Sequence, residues 1–284
     1  MMSRNRRILG VAGAGVAAWL GAGVAVAGEP RPWQINLMPA QSPVMERVHE
    51  FHNLLLVVQF GIVLLVLGLL GYIIFRFNAK RNPVPSRTSH NTLLEVIWTA
   101  VPVVILVIIA IPGLRLLYFH DRAQEYDFTI KVTGHQWYWS YTYPDHGDFT
   151  YTSIMIPDDE LQEGQPRLLA VDNPVVVPVG TNVQILVVSD DVIHAWALPS
   201  LGIKIDATPG RVNERWLHVY EEGTYYGMCS ELCGINHAFM PIQLEAVSPE
   251  AFEAWVEETR EEWAKRQDGS AVRVAAGDAA SGVR

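Results

Sequence analysis

The sequence predicts a membrane-anchored, all-β protein: a two-helix transmembrane hairpin, then a Greek-key β-sandwich or barrel, then a C-terminal helix. Three observations carry that prediction. Two long apolar runs lie within the first 120 residues, period-two alternation recurs beyond them with no helical crossover between, and a Ser-Pro-Glu start opens a helix-patterned segment near the end.

Residues 1–27 combine a basic start (Arg4, Arg6, Arg7), an apolar stretch rich in Ala, Gly and Val, and an Ala-Val-Ala ending at Ala27. That is the layout of a secretory signal peptide, with cleavage expected near Ala27 or Gly28. Residues 28–120 hold the N-terminal segment and the hairpin. From Asn53 to Phe75 the chain is uncharged, and 23 residues rise about 34 Å as a helix, enough to cross a bilayer. The second span, about Leu93 to Leu114, carries Pro102, Pro112 and one acid, Glu95. The connection between the spans holds Arg76, Lys80, Arg81 and Arg87 and no acid, so the positive-inside rule places it in the cytoplasm. Everything from about Asp121 onward is then extracytoplasmic, in agreement with an exported N-terminus.

Charge divides along the same line. Residues 1–120 carry 10 Lys/Arg against 4 Asp/Glu, whereas residues 121–284 carry 11 against 26. An acidic outer domain argues against nucleic acid as a partner and can steer a basic protein towards it.

Residues 121–247 form the predicted β domain. Tyr126, Phe128, Ile130 and Val132 alternate with Asp127, Thr129, Lys131 and Thr133, the period of a half-buried strand. Residues 183–188, 212–220, 224–228 and 242–247 are further strand candidates, and their spacing favours antiparallel pairing over a parallel sheet. Ser248-Pro249-Glu250 supplies a helix start, and Phe252, Trp255, Val256 and Trp263 recur at helical spacing to about 267. Residues 268–284, rich in Ala, Gly and Ser, are expected to be a disordered tail.

The chemistry concentrates in one loop. Cys229, Glu231, Cys233, His237 and Met240 fall within twelve residues, and the two cysteines are the chain's whole complement. Thiols, imidazole and thioether suit copper far better than hard cations. In an exported domain two cysteines commonly form a disulfide, but a three-residue spacing, the adjacent His237 and Met240, and His194 in an Asp-Val-Ile-His-Ala-Trp segment all favour a metal. Zinc would leave Met240 without a role, and a mononuclear blue-copper site would leave a thiolate over. A cluster that shares two sulfurs therefore becomes plausible.

The segments Gly134-His-Gln-Trp-Tyr-Trp-Ser-Tyr141, His194-Ala-Trp-Ala-Leu-Pro-Ser-Leu-Gly202, Pro209-Gly-Arg211 and Tyr225 through Pro241 together resemble subunit II of the haem-copper cytochrome c oxidases of the bacterial, copper A type. The resemblance implies a cupredoxin-like domain with a binuclear copper A centre, in which Cys229 and Cys233 bridge, His194, His237 and Met240 are side-chain ligands, and Glu231 contributes its backbone carbonyl. It implies magnesium at the Glu231 carboxylate, shared with subunit I, electron entry at Trp137, and a proton-channel entrance at Glu95. Asp145, Asp148, Asp158, Asp159 and Asp191 are candidates for an acidic face that docks cytochrome c. The implied setting is the bacterial inner membrane, with the copper domain in the periplasm, haem only in the partner subunit, and electron transport in a respiratory chain coupled to proton translocation. Quinol oxidase subunits of the same fold lack the copper ligands. Copper chaperones with a Cys-x-x-x-Cys pair are thioredoxin-like, and nitrous oxide reductase needs a large propeller domain. No Cys-x-x-Cys-His sequence occurs, so the electron donor is expected to be a separate protein.

Overall fold

The structure, a computed structural model, describes residues 28–84, 86–121 and 125–267. The signal-peptide segment 1–27 and the tail 268–284 lie outside the described residues.

Helix α1 runs Pro43–Arg76 and α2 runs Thr92–Asp121. Both exceed the spans expected from sequence, and both gain their length mainly on the outer side. The reason is that an uncharged window ends at the first charge, whereas the helix continues through it. Residues 43–52 add Glu46, Arg47 and Glu50, and residues 115–121 add Arg115 and Asp121. Ser42 caps α1, its hydroxyl accepting from the Met45 amide at 3.0 Å and donating to the Leu201 carbonyl at 2.7 Å. Where the helices meet, Phe51 packs on Gly113; a Cβ there would lie 3.2 Å from the ring.

The outer domain contains β1 (Phe128–His135), β2 (Tyr138–Tyr143), β3 (Phe149–Ser153), β4 (Val175–Pro178), β5 (Val183–Ser189), β6 (His194–Leu198), β7 (Ile203–Ala207), β8 (Asn213–Leu217), β9 (Gly223–Met228) and β10 (Pro241–Val247), followed by helix α3 (Pro249–Gln267). One sheet has the order β3-β2-β1-β5-β8 and the other β4-β10-β9, with β6-β7 as a separate hairpin. Most pairs are antiparallel, as expected, but β1 with β5 and β4 with β10 are parallel. No helix is needed for these parallel returns, because the intervening chain crosses to the other sheet and back.

The alternation in β1 and β5 aims Ile130, Val132, Ile185 and Val187 inward, each fully buried. Trp139, Tyr141 and Tyr143 of β2 join them, and each such side chain contributes roughly 1.5–3 kcal/mol through burial. Helix α3 closes the sandwich near β3. Phe252, only 2% exposed, stacks on Phe128 with ring centroids 5.2 Å apart, and Trp255 stands edge-on to Tyr143 at 5.2 Å.

Two sets of contacts join the domain to the hairpin. At the end of α2, Phe119 stands edge-on to Trp216 at 5.3 Å, the Trp216 indole donates to the Phe119 carbonyl at 3.3 Å, and Arg215 pairs with Asp121 at 3.0 Å. At the start of α1, Val44 and Met45 are buried against Gly202, whose φ of +68° and lack of Cβ allow the approach.

Truncating the α3 anchor tests this packing. Phe252→Ala is expected to lower unfolding stability by about 3–5 kcal/mol, read from urea unfolding of the detergent-solubilised chain by tryptophan fluorescence.

Candidate metal centre

The loop between β9 and β10 is closed by backbone pairing at its neck. Met228 lies opposite Pro241 in the register, and the Cys229 amide donates to the Met240 carbonyl at 3.3 Å. Cys229 and Met240, at the two ends of the loop, are thereby side by side. The loop's interior is turned by a short 3-10 segment, His237–Phe239, and by Gly234 at φ +124°.

His194 arrives from another element. It opens β6, which lies against β9: the Ser230 amide donates to the Ala195 carbonyl at 3.0 Å. This approach depends on Gly227, since a Cβ at that position would overlap the Ala197 carbonyl. The imidazole is fully buried, edge-on to Trp139 at 5.9 Å.

The donor atoms converge. Cys229 Sγ lies 3.8 Å from Cys233 Sγ and 3.9 Å from His194 Nδ1. Cys233 Sγ lies 3.4 Å from His237 Nδ1 and 3.5 Å from Met240 Sδ. The Glu231 carbonyl oxygen is 3.4 Å from Cys229 Sγ, while the Glu231 side chain is exposed. Ligand atoms of His194, Cys229 and Cys233 all lie within 4.8 Å of one another. Both cysteines are buried and free, their sulfurs far beyond the roughly 2 Å of a disulfide bond.

These residues fit a soft metal. Two sulfurs, a thioether and two imidazole nitrogens face one another, and the second nitrogen of His194 is already committed. Its Nε2 lies 2.8 Å from Asp191 Oδ1, so Nδ1 is left for the metal side, the usual carboxylate–histidine arrangement. Asp191 Oδ2 also accepts from the Gln136 amide at 2.6 Å, and Oδ1 from the Val192 amide at 2.6 Å.

The electrostatics agree. Burial pushes the Cys229 thiol up, but hydrogen bonds from His194 and from the Glu231 and Ala195 backbone outweigh it and bring the thiol below its usual range. Burial and the neighbouring Cys229 charge push Cys233 up. The pair thus parts with one proton readily and holds the second, until a cation compensates the second thiolate. Burial lowers His194, yet Cys229 and Asp191 raise it on balance. Asp191 is held low: burial opposes this, but hydrogen bonds from His194, Val192 and Gln136 prevail.

Trp137 lies half-buried beside the loop, its indole Nε1 donating to the Cys233 carbonyl at 3.2 Å. The Gln136 side-chain amide donates to the same oxygen at 2.8 Å. Glu95 is remote from all of these, in the first turn of α2, at the end of that helix away from the β domain. Of the candidate docking acids, Asp145 accepts from the Thr129 amide at 2.7 Å, Asp158 pairs with Arg167 at 2.7 Å, and Asp191 is taken up by His194. Asp148 and Asp159 are exposed. Sequence reasoning placed Asp191 on a docking face and missed its hold on His194, although the three-residue spacing to His194 was a usable signal. Gln136 left no such signal.

Residues 128–247 match the family described as cytochrome c oxidase subunit II, periplasmic domain, and residues 30–116 match its transmembrane domain. The chain is 55% identical over 230 residues to a probable cytochrome c oxidase subunit 2 of Rickettsia felis, covering 81% of this chain and 73% of that protein. It is 46% identical over 239 residues to cytochrome c oxidase subunit 2 of Oenothera berteroana, covering 82% and 93%. Among solved structures, the periplasmic domain of subunit II of cytochrome oxidase (CoxB) of Bradyrhizobium japonicum is similar at 51% identity with a TM-score of 0.47, covering 50% of this chain and 99% of that one.

Removing the carboxylate behind His194 tests the second layer of the site. Asp191→Asn is expected to weaken copper retention by about 10–100-fold, measured by competition with a chelator of known affinity, while the far-ultraviolet circular dichroism of the chain stays unchanged.

Proposed function

The chain belongs to the cytochrome c oxidase subunit II family, and from that premise we propose that it is the electron-entry subunit of a proton-pumping terminal oxidase. It accepts electrons from cytochrome c at a binuclear copper A centre and passes them to haem in subunit I, where oxygen is reduced to water. The observation that carries this reading is the convergence of the buried His194, Cys229, Cys233 and Met240 with the half-buried His237 in one cluster. A pair of coppers held there would supply one-electron chemistry, its charge shared over two metals and two thiolates.

The chain's own residues support that task in distinct ways. Cys229 and Cys233 would hold the copper through their thiolates, His194 and His237 through their imidazoles, and Met240 and the Glu231 carbonyl would complete the set. Asp191 fixes the His194 ring, and the paired neck of the loop limits how far any ligand moves when charge changes. The burial of both thiols and of Met240 keeps water from competing for the sulfurs. Trp137 is the entry point for electrons, because its ring leads from the partly exposed surface to the Cys233 carbonyl through one hydrogen bond. A basic cytochrome c docks near it, drawn by the acidic outer domain, with Asp159 free of the structural commitments described above and Asp148 placed past the opposite end of β2 from Trp137.

Glu231 serves twice, its carbonyl towards the cluster and its exposed carboxylate towards magnesium shared with subunit I. Glu95, half-buried on α2 beside Thr92, Val96 and Thr99, stands at the cytoplasmic mouth of the proton channel through subunit I. The setting is the bacterial inner membrane, with the hairpin spanning it and the outer domain in the periplasm.

Steady-state turnover of the assembled oxidase, with rapid-mixing reduction of the copper centre by cytochrome c, tests both roles. Trp137→Phe is expected to slow cytochrome c oxidation by about tenfold, equal to about 1.4 kcal/mol of barrier, with copper content unchanged. Glu95→Gln is expected to slow turnover while cytochrome c still reduces the copper centre at the normal rate. Normal turnover in either variant would remove that residue from its role.

A further inference from the structure

Two arginines that pair with no carboxylate among the described residues face one cleft on the outer half of the hairpin. Arg47 of α1 and Arg115 of α2 line a cavity of about 300 Å³ together with Glu50, Phe51, Leu54 and Leu116. Both arginines are exposed, and neither forms an ion pair with a carboxylate among the described residues. The nearest other acid on α1, Glu46, accepts a hydrogen bond from the Tyr220 hydroxyl at 2.9 Å. Arg47 is held in place, its guanidinium 3.4 Å from the Phe119 ring centroid, and Phe119 is itself fixed edge-on to Trp216.

The depth of the cleft is set by sequence. Arg115 follows the apolar run of α2 directly, and Arg47 precedes the uncharged run of α1 by six residues, about 9 Å along a helix. Both guanidiniums therefore stand in the headgroup layer of the outer leaflet, where the bilayer widens from about 30 Å of hydrocarbon to about 40–45 Å overall. Leu54, seven residues further along α1 than Arg47, and Pro112, three residues before Arg115 on α2, lie below them at the start of the hydrocarbon, with Leu116 level with Arg115.

We propose that this cleft binds the headgroup of one phosphatidylethanolamine molecule of the outer leaflet, with the phosphate between Arg47 and Arg115, the ammonium against Glu50, and the acyl chains along Leu54 and Pro112. Guanidinium groups match phosphate oxygens in pairs of parallel hydrogen bonds. The carboxylate of Glu50 is what selects the amine. A headgroup with a phosphate alone would place that negative charge beside Glu50, whereas an ammonium neutralises it and donates hydrogen bonds to it. A choline headgroup carries the charge without those donors. The lipid would act as a wedge between α1 and α2 directly beneath the Phe119–Trp216 junction, and so steady the outer domain over the membrane. This inference is independent of the metal centre.

Native mass spectrometry of the full-length chain in detergent tests it, after delipidation and addition of phosphatidylethanolamine, phosphatidylglycerol and phosphatidylcholine in equal amounts. The expected result is one phosphatidylethanolamine retained at least about tenfold over either competitor. The double variant R47Q/R115Q should lose retention of all three, and Glu50→Gln should reverse the preference towards phosphatidylglycerol. Equal retention of the three lipids by the wild type, a wild-type preference for phosphatidylglycerol, or a Glu50→Gln variant with unchanged preference would each overturn the proposal. Arginines that merely snorkel to the interface would give the first of these results.

Discussion

The pairing of Met228 with Pro241 is the constraint on which the metal site depends. A ladder between β9 and β10 that ends at this pair turns the twelve residues from Cys229 to Met240 into a closed loop, with the first and last ligands at its neck. The entropic cost of closing that loop is met by the strand pairing and core burial around it. Cys233 and His237 then need only local turns to reach the same point. His194, the one ligand from far away in sequence, is delivered because β6 packs on β9 where Gly227 has no side chain. A loop held at both ends and packed against a buried strand has little freedom to rearrange, which suits the one-electron centre proposed for it.

A second constraint fixes the site above the membrane. The outer turns of α1 and α2 are built into the β domain through Ser42, Val44 and Met45 on one side and Phe119, Asp121 and the Trp216 indole on the other. The hairpin is thus more than a tether. Its outer ends form part of the domain's base, so the height of the cluster over the bilayer follows from helix length. The division of charge is consistent with this geometry: basic residues in the hairpin's connection, acidic residues in the outer domain.

Much of this was legible in sequence, and the failures have physical causes. Strands β1, β5, β9 and β10 have one face buried and one less so, or stand between clear turn signals, and they were found within a residue or two. Strands β4 and β6 are buried along their whole length, so Val-Val-Val-Pro and His-Ala-Trp-Ala-Leu show no alternation to read. The parallel pairs escaped because composition does not reveal when a chain changes sheets. The helices outran the expected spans because Glu50 and Arg115 ended the uncharged window but not the helix. The candidate ligands were nominated by residue type and spacing, and the structure brings His194 within reach of the thiols. Asp191 was read as a surface acid because the amides and imidazole that occupy it come together only on folding.

The most direct test is electron paramagnetic resonance of the full-length chain loaded with copper and partly oxidised. Equal hyperfine coupling of one electron to two copper nuclei, lost in Cys233→Ser, is the expected result. A spectrum with coupling to a single copper nucleus, or two oxidised cysteines that bind no copper, would contradict a shared centre at the neck of this loop.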